Sequence, residues 1–310
     1  MFLVCGEALF DFFLESQSGP AAATYAARAG GSPFNVAIGL RRLGQASGLL
    51  TGLSSDLLGQ RLRQVLEAEG VSTKYAIPTE RPTTLSLVGL DAAGVPAYQF
   101  YDNGSADTGV EAADLPALGP EVLGLHFGSY SLAAAPVGDA MAALAGGKRG
   151  RFVSLDPNVR PTVEPDMDVW RARMAVLFPL ADLVKISAED LELLWPGKRA
   201  EALAADLVAA GVSLVVVTDG GEAAHGWTSG GLAARATPPK VKVIDTVGAG
   251  DTFQAALLAR LMRDPAGPKA TLAGLDTKGL ASLVDYAARA AAITCSRRGA
   301  DLPRAAELTD

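Results

Sequence analysis

The chain is poor in the residues that staple small proteins or hold metals. Only two cysteines occur, Cys5 and Cys295, almost a chain length apart and in no CxxC or Cys/His cluster. A disulfide scaffold and a zinc ribbon are thereby excluded, and two reduced thiols in or near a core are expected, as in a cytoplasmic protein. Histidine is equally scarce: His126 and His225 have no metal-ligand spacing to each other or to cysteine. His126 reads as a satisfied interior residue and His225 as a loop residue. Positive charge is thin as well, with 27 Lys and Arg against 34 Asp and Glu, a formal net charge of −7 and no basic run. That excludes a nucleic-acid binder, which needs a concentrated basic surface. No apolar run reaches membrane-spanning length. The opening MFLVCGEALFDFF has Glu7 and Asp11 inside its apolar stretch and no Lys or Arg ahead of it, unlike a secretory leader. Gly146-Gly147-Lys148-Arg149 lacks the spacing and the Ser/Thr of a P-loop and reads as a connection.

What is present is a large apolar fraction, 49% of 310 residues, which suits one open α/β unit. Short β-branched or apolar runs alternate with Ala- and Leu-rich stretches. That rhythm predicts a largely parallel sheet with helices on both faces. The predicted strands are FLVCGE (2–7), GLHFGS (124–129), RFVSLDP (151–157), ADLVKIS (181–187) and LVVVTDG (214–220). Most end in polar or glycine residues, and open parallel sheets bind ligands beyond the carboxyl ends of their strands. Helices are predicted over 34–43, 57–69, 200–210, 251–262 and 283–295, and a loop over 264–278, which contains Pro265, Gly267 and Pro268. Residues 83–101 break the rhythm, because two extended runs flank Asp91-Ala92-Ala93-Gly94, a hairpin-type turn. Together with the extended stretch 8–15 they are expected to form a small antiparallel β lid. Its segments, about 8–29 and 80–107, would be inserted in a single domain spanning 1–310.

The most informative residues are Asp245-Thr246-Val247-Gly248-Ala249-Gly250-Asp251, followed by an apolar helical stretch. Gly248 and Gly250 permit backbone conformations closed to other residues, and a helix that starts there presents unpaired N–H groups and the positive end of its dipole. The amides of Gly248, Ala249 and Gly250 would form an anion hole. Asp251, in the first turn, would face the same concavity and could accept a proton from an attacking hydroxyl. An ordinary glycine-rich helix start remains the alternative on these residues alone. A second glycine pair, Gly30-Gly31 in Ala29-Gly30-Gly31-Ser32-Pro33-Phe34-Asn35, precedes another amphipathic helix. It reads equally as a ligand loop or as a plain helix start with Pro33 in its first turn.

The heptapeptide closely resembles the DTxGAGD signature of the PfkB/ribokinase family of carbohydrate kinases, and the Gly30-Gly31 segment resembles that family's first signature. Within the family the chain is most similar to bacterial fructokinases, through GEALFD, GGSPFN, DPNVR and the tail RRGADLP. The resemblance implies a ribokinase-like, doubly wound, mostly parallel sheet. It implies catalysis by Asp251 with Gly248, Ala249 and Gly250, and sugar contacts from Asp11, Gly30, Gly31, Asn35, Arg160 and Asp251. It also implies nucleotide contacts from Lys185, Ser187, Thr218, Gly220, Gly248 and Gly250. Ser187 and Asp190 stand where the family often shows Asn-x-x-Glu, which makes Asp190, or its neighbour Glu189, a candidate for magnesium; these residues could equally cap the next helix. Asp156 could be a ligand or part of a Pro-containing turn. A potassium ion at carbonyls of Asp245 and Val247, near a loop at 295–299, is a further implication.

The implied activity is transfer of a phosphoryl group from ATP, with Mg²⁺, to a small sugar, D-fructose to fructose 6-phosphate first. 2-Keto-3-deoxygluconate or another ketose or pentose is the alternative acceptor, and a non-catalytic nucleotide-binding regulator the distant one. Lid-to-lid packing would give a homodimer, with sugar and ATP the small-molecule partners and neither nucleic acid nor membrane involved.

Overall fold

The computed structural model describes residues 1–90, 96–147 and 150–308. The expected hairpin turn at Asp91-Ala92-Ala93-Gly94 lies outside them, as do Lys148 and Arg149 of the 146–149 connection. The chain opens with β1 (Phe2–Cys5), whose Phe2 and Val4 join one apolar cluster while Leu3 and Cys5 join another. That two-residue period is the mark of a strand covered on both faces. β2 (Leu9–Gln17) and β3 (Ala23–Gly30) leave the central layer, and α1 (Ser32–Arg42) returns to it ahead of β4 (Ser47–Leu50). Short β5 (Gly52–Ser54) and α2 (Leu57–Ala68) follow, then β6 (Ile77–Thr79), which pairs with β5. β7 (Thr84–Leu90) and β8 (Pro96–Tyr101) come next. The second half runs β9 (Gly124–Gly128), α3 (Val137–Gly146), β10 (Phe152–Asp156), α4 (Met167–Leu177), β11 (Leu183–Ser187), α5 (Ala188–Leu194), α6 (Ala200–Ala209) and β12 (Leu214–Asp219). The hairpin β13 (Ala223–Thr228) and β14 (Ala233–Ala236) precedes α7 (Ala249–Leu261), α8 (Pro268–Ala273) and α9 (Thr277–Cys295).

Eight strands form the central sheet in the order β14-β13-β12-β11-β10-β9-β1-β4. It is parallel from β4 to β12 and antiparallel at β13 and β14. From β1 the chain winds outward to β4 on one side and, from β9 onward, to the other. Between β1 and β9 lies the switch point at which such sheets open a ligand crevice. On one face the strands pack against α1, α7 and α9 through residues such as Phe34, Leu257 and Val284. On the other they pack against α3 to α6 through Met141, Trp170, Leu191 and Leu203. β3, β2, β7 and β8 make a second sheet of four strands, antiparallel at its outer pairs and parallel between β2 and β7.

Several sequence expectations are corrected. The stretch 264–278 contains α8 and the start of α9, because Gly267 and Pro268 are not loop punctuation but an N-cap and a first helical residue. Proline is well placed there, since its missing N–H would have had no helical partner. α9 begins at Thr277 rather than 283, capped by Asp276, which accepts the Gly279 N–H at 2.7 Å. His225 lies in β13, not in a loop, and stacks on Trp227 with ring centroids 5.6 Å apart. His126 is buried but only half satisfied: Nδ1 lies 3.2 Å from Ser154 Oγ, and Nε2 has no partner among the described residues. Burial holds its pKa down at about 3, so it is neutral. Both cysteines are free thiols, Cys5 buried and Cys295 partly so. No helix among the described residues is long and apolar enough to cross a membrane.

Candidate active site

α7 starts on the motif turn. Gly248 is its N-cap with φ 77°, and a methyl group there would come within 2.6 Å of Ala300 Cβ. Both the backbone and the neighbouring loop therefore demand glycine. Of the three amides expected at the anion hole, that of Ala249 donates to Thr246 O at 3.2 Å, the long end of a hydrogen bond. Asp245 anchors the entry to the turn: its carboxylate accepts the N–H groups of Val247 at 3.0 Å and Gly299 at 2.8 Å. Its own N–H donates to Cys295 O at 3.3 Å, which brings the two segments expected around a potassium ion into direct contact.

Asp251 lies in the first turn of α7 and is 7% exposed. Its Oδ1 accepts from Ser32 Oγ at 2.6 Å and its Oδ2 from Asn35 Nδ2 at 2.8 Å. The two glycine-rich motifs, 216 residues apart at Asn35 and Asp251, thus meet side chain to side chain. Each carboxylate oxygen keeps a lone pair free for a further donor. Burial raises the pKa of Asp251, while the hydrogen bonds from Ser32 and Asn35, and the charges of Arg160 and Lys185, pull it back. The result is a stronger base than a free carboxylate, with its direction fixed by two donors.

Lys185, in β11, is buried and donates to Asp156 Oδ2 at 2.8 Å. Its Nζ stands 3.1 Å from where a methyl on Gly250 would sit, so its charge abuts the motif turn. Burial opposes that charge, but Asp156, Asp190 and Asp251 outweigh it and hold the Lys185 pKa above its usual value. Asp156 is pushed up to about 6 by burial, and its Oδ1 has no partner among the described residues. Ser187 caps α5 by accepting the Asp190 N–H at 2.9 Å, and Asp190 Oδ1 accepts the Val159 N–H at 2.9 Å. One oxygen of the magnesium candidate is therefore already engaged. Ser187 pairs in register with Thr218 on β12, and Gly220 follows in the turn with φ 46°.

Across the crevice, Asp11 in β2 lies so close to Gly30 that a methyl there would meet its carboxylate at 2.6 Å. Burial raises Asp11 to about 6, against the pull of Ser86 and Arg160. The Arg160 guanidinium donates to the carbonyls of Asn158 and Val159 at 3.2 and 3.0 Å, and its charge acts on both Asp11 and Asp251. A cavity of about 310 Å³ is lined by Asp11, Asn35, Gly30, Arg28, Val247 and Arg298, among others.

The glycine-rich helix start, the hydrogen-bonded Asp251 carboxylate and the cavity lined by Asp11 and Asn35 thus lie together. A model of the pfkB family of carbohydrate kinases matches residues 1–306. The chain belongs to that family. It is thus a carbohydrate kinase. It is 39% identical to a fructokinase of Rhizobium leguminosarum bv. trifolii over 100% of this chain and 92% of that protein. Its fold resembles that of a Xylella fastidiosa fructokinase with bound ATP, at TM-score 0.89 and 27% identity, covering 99% of this chain and 96% of that one. It also resembles a Vibrio cholerae O395 fructokinase in a form bound to fructose, ADP and calcium, at TM-score 0.78 and 27% identity, covering 96% and 94%.

Three site residues escape sequence reasoning. Ser32 lies inside a quoted motif, but nothing in the sequence says its hydroxyl faces Asp251. Arg28 in β3 donates to Arg298 O at 3.3 Å across the cavity mouth, and Arg298 lines the same cavity. Arg28 lies in a stretch with no motif and Arg298 in the quoted tail RRGADLP, where nothing local says that it lines the cavity; only tertiary contact reveals both roles.

Proposed function

We propose that this kinase transfers the γ-phosphoryl group of ATP to a hydroxyl of D-fructose, giving fructose 6-phosphate. The observation that carries the reading is the meeting of the two motifs: the Asp251 carboxylate, in the first turn of α7, is held by Ser32 and by Asn35, and Asn35 itself lines the cavity shared by Asp11 and Gly30. The sugar occupies the cavity under Asp11, with Gly30, Gly31, Asn35 and Arg160 around it. Its hydroxyl oxygen attacks the γ-phosphorus as the bond to the bridging oxygen of ADP breaks, and the hydroxyl proton passes to Asp251. The amides of Gly248 and Gly250, with that of Ala249 once freed from Thr246, and the Lys185 ammonium stabilise charge on the transferring oxygens. Ser187, Thr218 and Gly220, on the adjoining strand ends, receive the rest of the triphosphate. The described residues hold no group of three His, Cys, Asp or Glu side chains fit for a metal. A magnesium ion would be carried mainly by the phosphates, as such a small, tightly hydrated ion usually is, with Asp190, one of whose oxygens already accepts the Val159 N–H, as the protein candidate.

The four-stranded sheet acts as a lid that keeps water from the transferring group. Leu14 and Tyr25, paired across β2 and β3, and Tyr101 of β8 remain 38%, 41% and 52% exposed on it. A second copy of the lid would cover them, which makes the protein a homodimer; a monomer by sedimentation throughout the micromolar range would exclude this. The substrate reading is tested by ADP release with fructose, 2-keto-3-deoxygluconate, ribose and adenosine. Fructose is expected to give the highest kcat/KM. A higher value for the keto acid would move the assignment to an acidic sugar met by Arg28 and Arg298.

A further inference from the structure

Glu7 follows β1 at the switch point of the sheet, 1% exposed and in no ion pair among the described residues. Burying a carboxylate without a cation is costly unless its oxygens are hydrogen-bonded, and here both are. Oε1 accepts the Ser32 N–H at 3.2 Å and Oε2 accepts from Ser131 Oγ at 2.6 Å. The same residue walls the turn before α1: its carbonyl oxygen and Cγ would stand 2.9 and 3.2 Å from a methyl on Gly31, whose φ is 106°. Gly31 is the N-cap of α1 and has no side chain with which to cap it. From the loop after β1, Glu7 supplies an acceptor for the first of the N–H groups that a helix start leaves unpaired. What it holds is Ser32, and Ser32 holds Asp251 Oδ1 at 2.6 Å.

We propose that Glu7 is a positioning residue for phosphoryl transfer: through the backbone and hydroxyl of Ser32 it sets the direction in which the Asp251 carboxylate faces the sugar hydroxyl. This rests on Asp251 being the base. A chain of three hydrogen bonds, Ser131 to Glu7, Glu7 to Ser32 and Ser32 to Asp251, runs from the end of β9 past β1 and α1 to α7. It spans the elements on both sides of the crevice. If Ser32 shifted, Asp251 would keep only the Asn35 donor and would be free to rotate about that single bond.

The test uses the full-length enzyme. Glu7→Gln keeps an acceptor for the Ser32 N–H and can donate to Ser131 Oγ, so kcat is expected to stay within about threefold of wild type. Glu7→Met preserves bulk but removes both acceptors, and kcat is expected to fall toward the roughly 100-fold loss that a 1 Å misplacement can cause, with the KM for ATP unchanged. A purely structural role would lower the melting temperature of both variants and leave kcat of the folded enzyme unmoved. A folded Glu7→Met enzyme with wild-type kcat overturns the proposal. Should Glu7→Met fail to fold, Ser32→Ala, which cuts the last bond of the chain while keeping its N–H, must lower kcat by at least about tenfold, and a wild-type kcat there overturns the proposal equally. Asp251→Asn separates this idea from the one beneath it. Retained turnover in that variant removes the base and the proposal with it, whereas an inactive Asp251→Asn beside a fully active Glu7→Met removes the proposal alone. Where both variants are impaired, Glu7→Met placed in the Asp251→Asn background is expected to cost no further kcat, since residues acting as a unit are not additive. A full additional loss would place Glu7 in some other pathway.

Discussion

β1, β9 and β10 of the central sheet are buried along their whole length, whereas β2 and β3 of the four-stranded sheet emerge into solvent within a few residues of the crevice. The two sides of the site inherit that difference. Asp251, Lys185 and Asp156 stand on elements packed on every side, tied by hydrogen bonds of 2.6 to 2.8 Å. Asp11 and Arg28 stand on a sheet with few buried contacts, the kind of element that opens at low free-energy cost. Under the proposed function, preorganised charge on the fixed side would serve the chemistry and closure on the other side the capture of sugar.

The division is tested most sharply by one substitution on each side. Asp251→Asn keeps the shape and both hydrogen-bonded neighbours but cannot take a proton. General bases contribute about 10²- to 10⁴-fold, so kcat is expected to fall by at least about 100-fold while nucleotide affinity, held by backbone amides, changes little. Asp11→Asn removes charge from the movable side and is expected to raise the sugar KM by about tenfold, about 1.4 kcal/mol of binding, with kcat within a few-fold of wild type. Steady-state kinetics of both variants with fructose decide the matter. A kcat loss for Asp11→Asn as deep as that for Asp251→Asn would erase the distinction between the two sides.

The same division governs what the sequence reveals. The buried strands are legible because alternate residues serve opposite apolar clusters, as Val215 and Val217 do against Leu214 and Val216. The motif turn is legible because its chemistry is contiguous. β13 and β14, written AAHGWT and AARA, carry almost no strand signal, and their pairing comes from the edge that β12 offers. α8 is hidden by glycine and proline that serve as a helix start. Glu7 to Ser32, Ser32 to Asp251 and Arg28 to Arg298 are contacts across 25, 219 and 270 residues, and no local pattern encodes them.

A smaller effect is expected from pH, and it pulls activity and stability apart. Burial raises Glu7 to about 7 and Asp11 and Asp156 to about 6. Each binds its proton more tightly folded than unfolded, so each contributes stability that is fully present below the ordinary carboxylate range and is lost as pH rises through 6 to 7. The carboxylates with lowered values, such as Glu69 and Glu121, titrate below the ordinary range and do not act in this window. Buried His126 works against this, because its pKa near 3 means that only the unfolded imidazole takes a proton below about pH 6.5; the ligand-free protein is therefore expected to melt at a higher temperature at pH 5.5 than at pH 8, but by less than the three carboxylates alone would give. Activity is expected to run the other way: if Asp11 binds sugar hydroxyls as proposed, protonation weakens that grip, and protonated Asp156 no longer holds Lys185 beside Gly250. The acid limb of kcat/KM for the sugar is expected near pH 6 rather than near 4, as a property of the coupled group and not of one residue. Asp11→Asn takes one of these groups out of the titration, so its melting temperature should depend less on pH between 5.5 and 8. An unchanged slope would mean that the exposed, movable side of the site carries none of this pH dependence and that the buried side carries all of it.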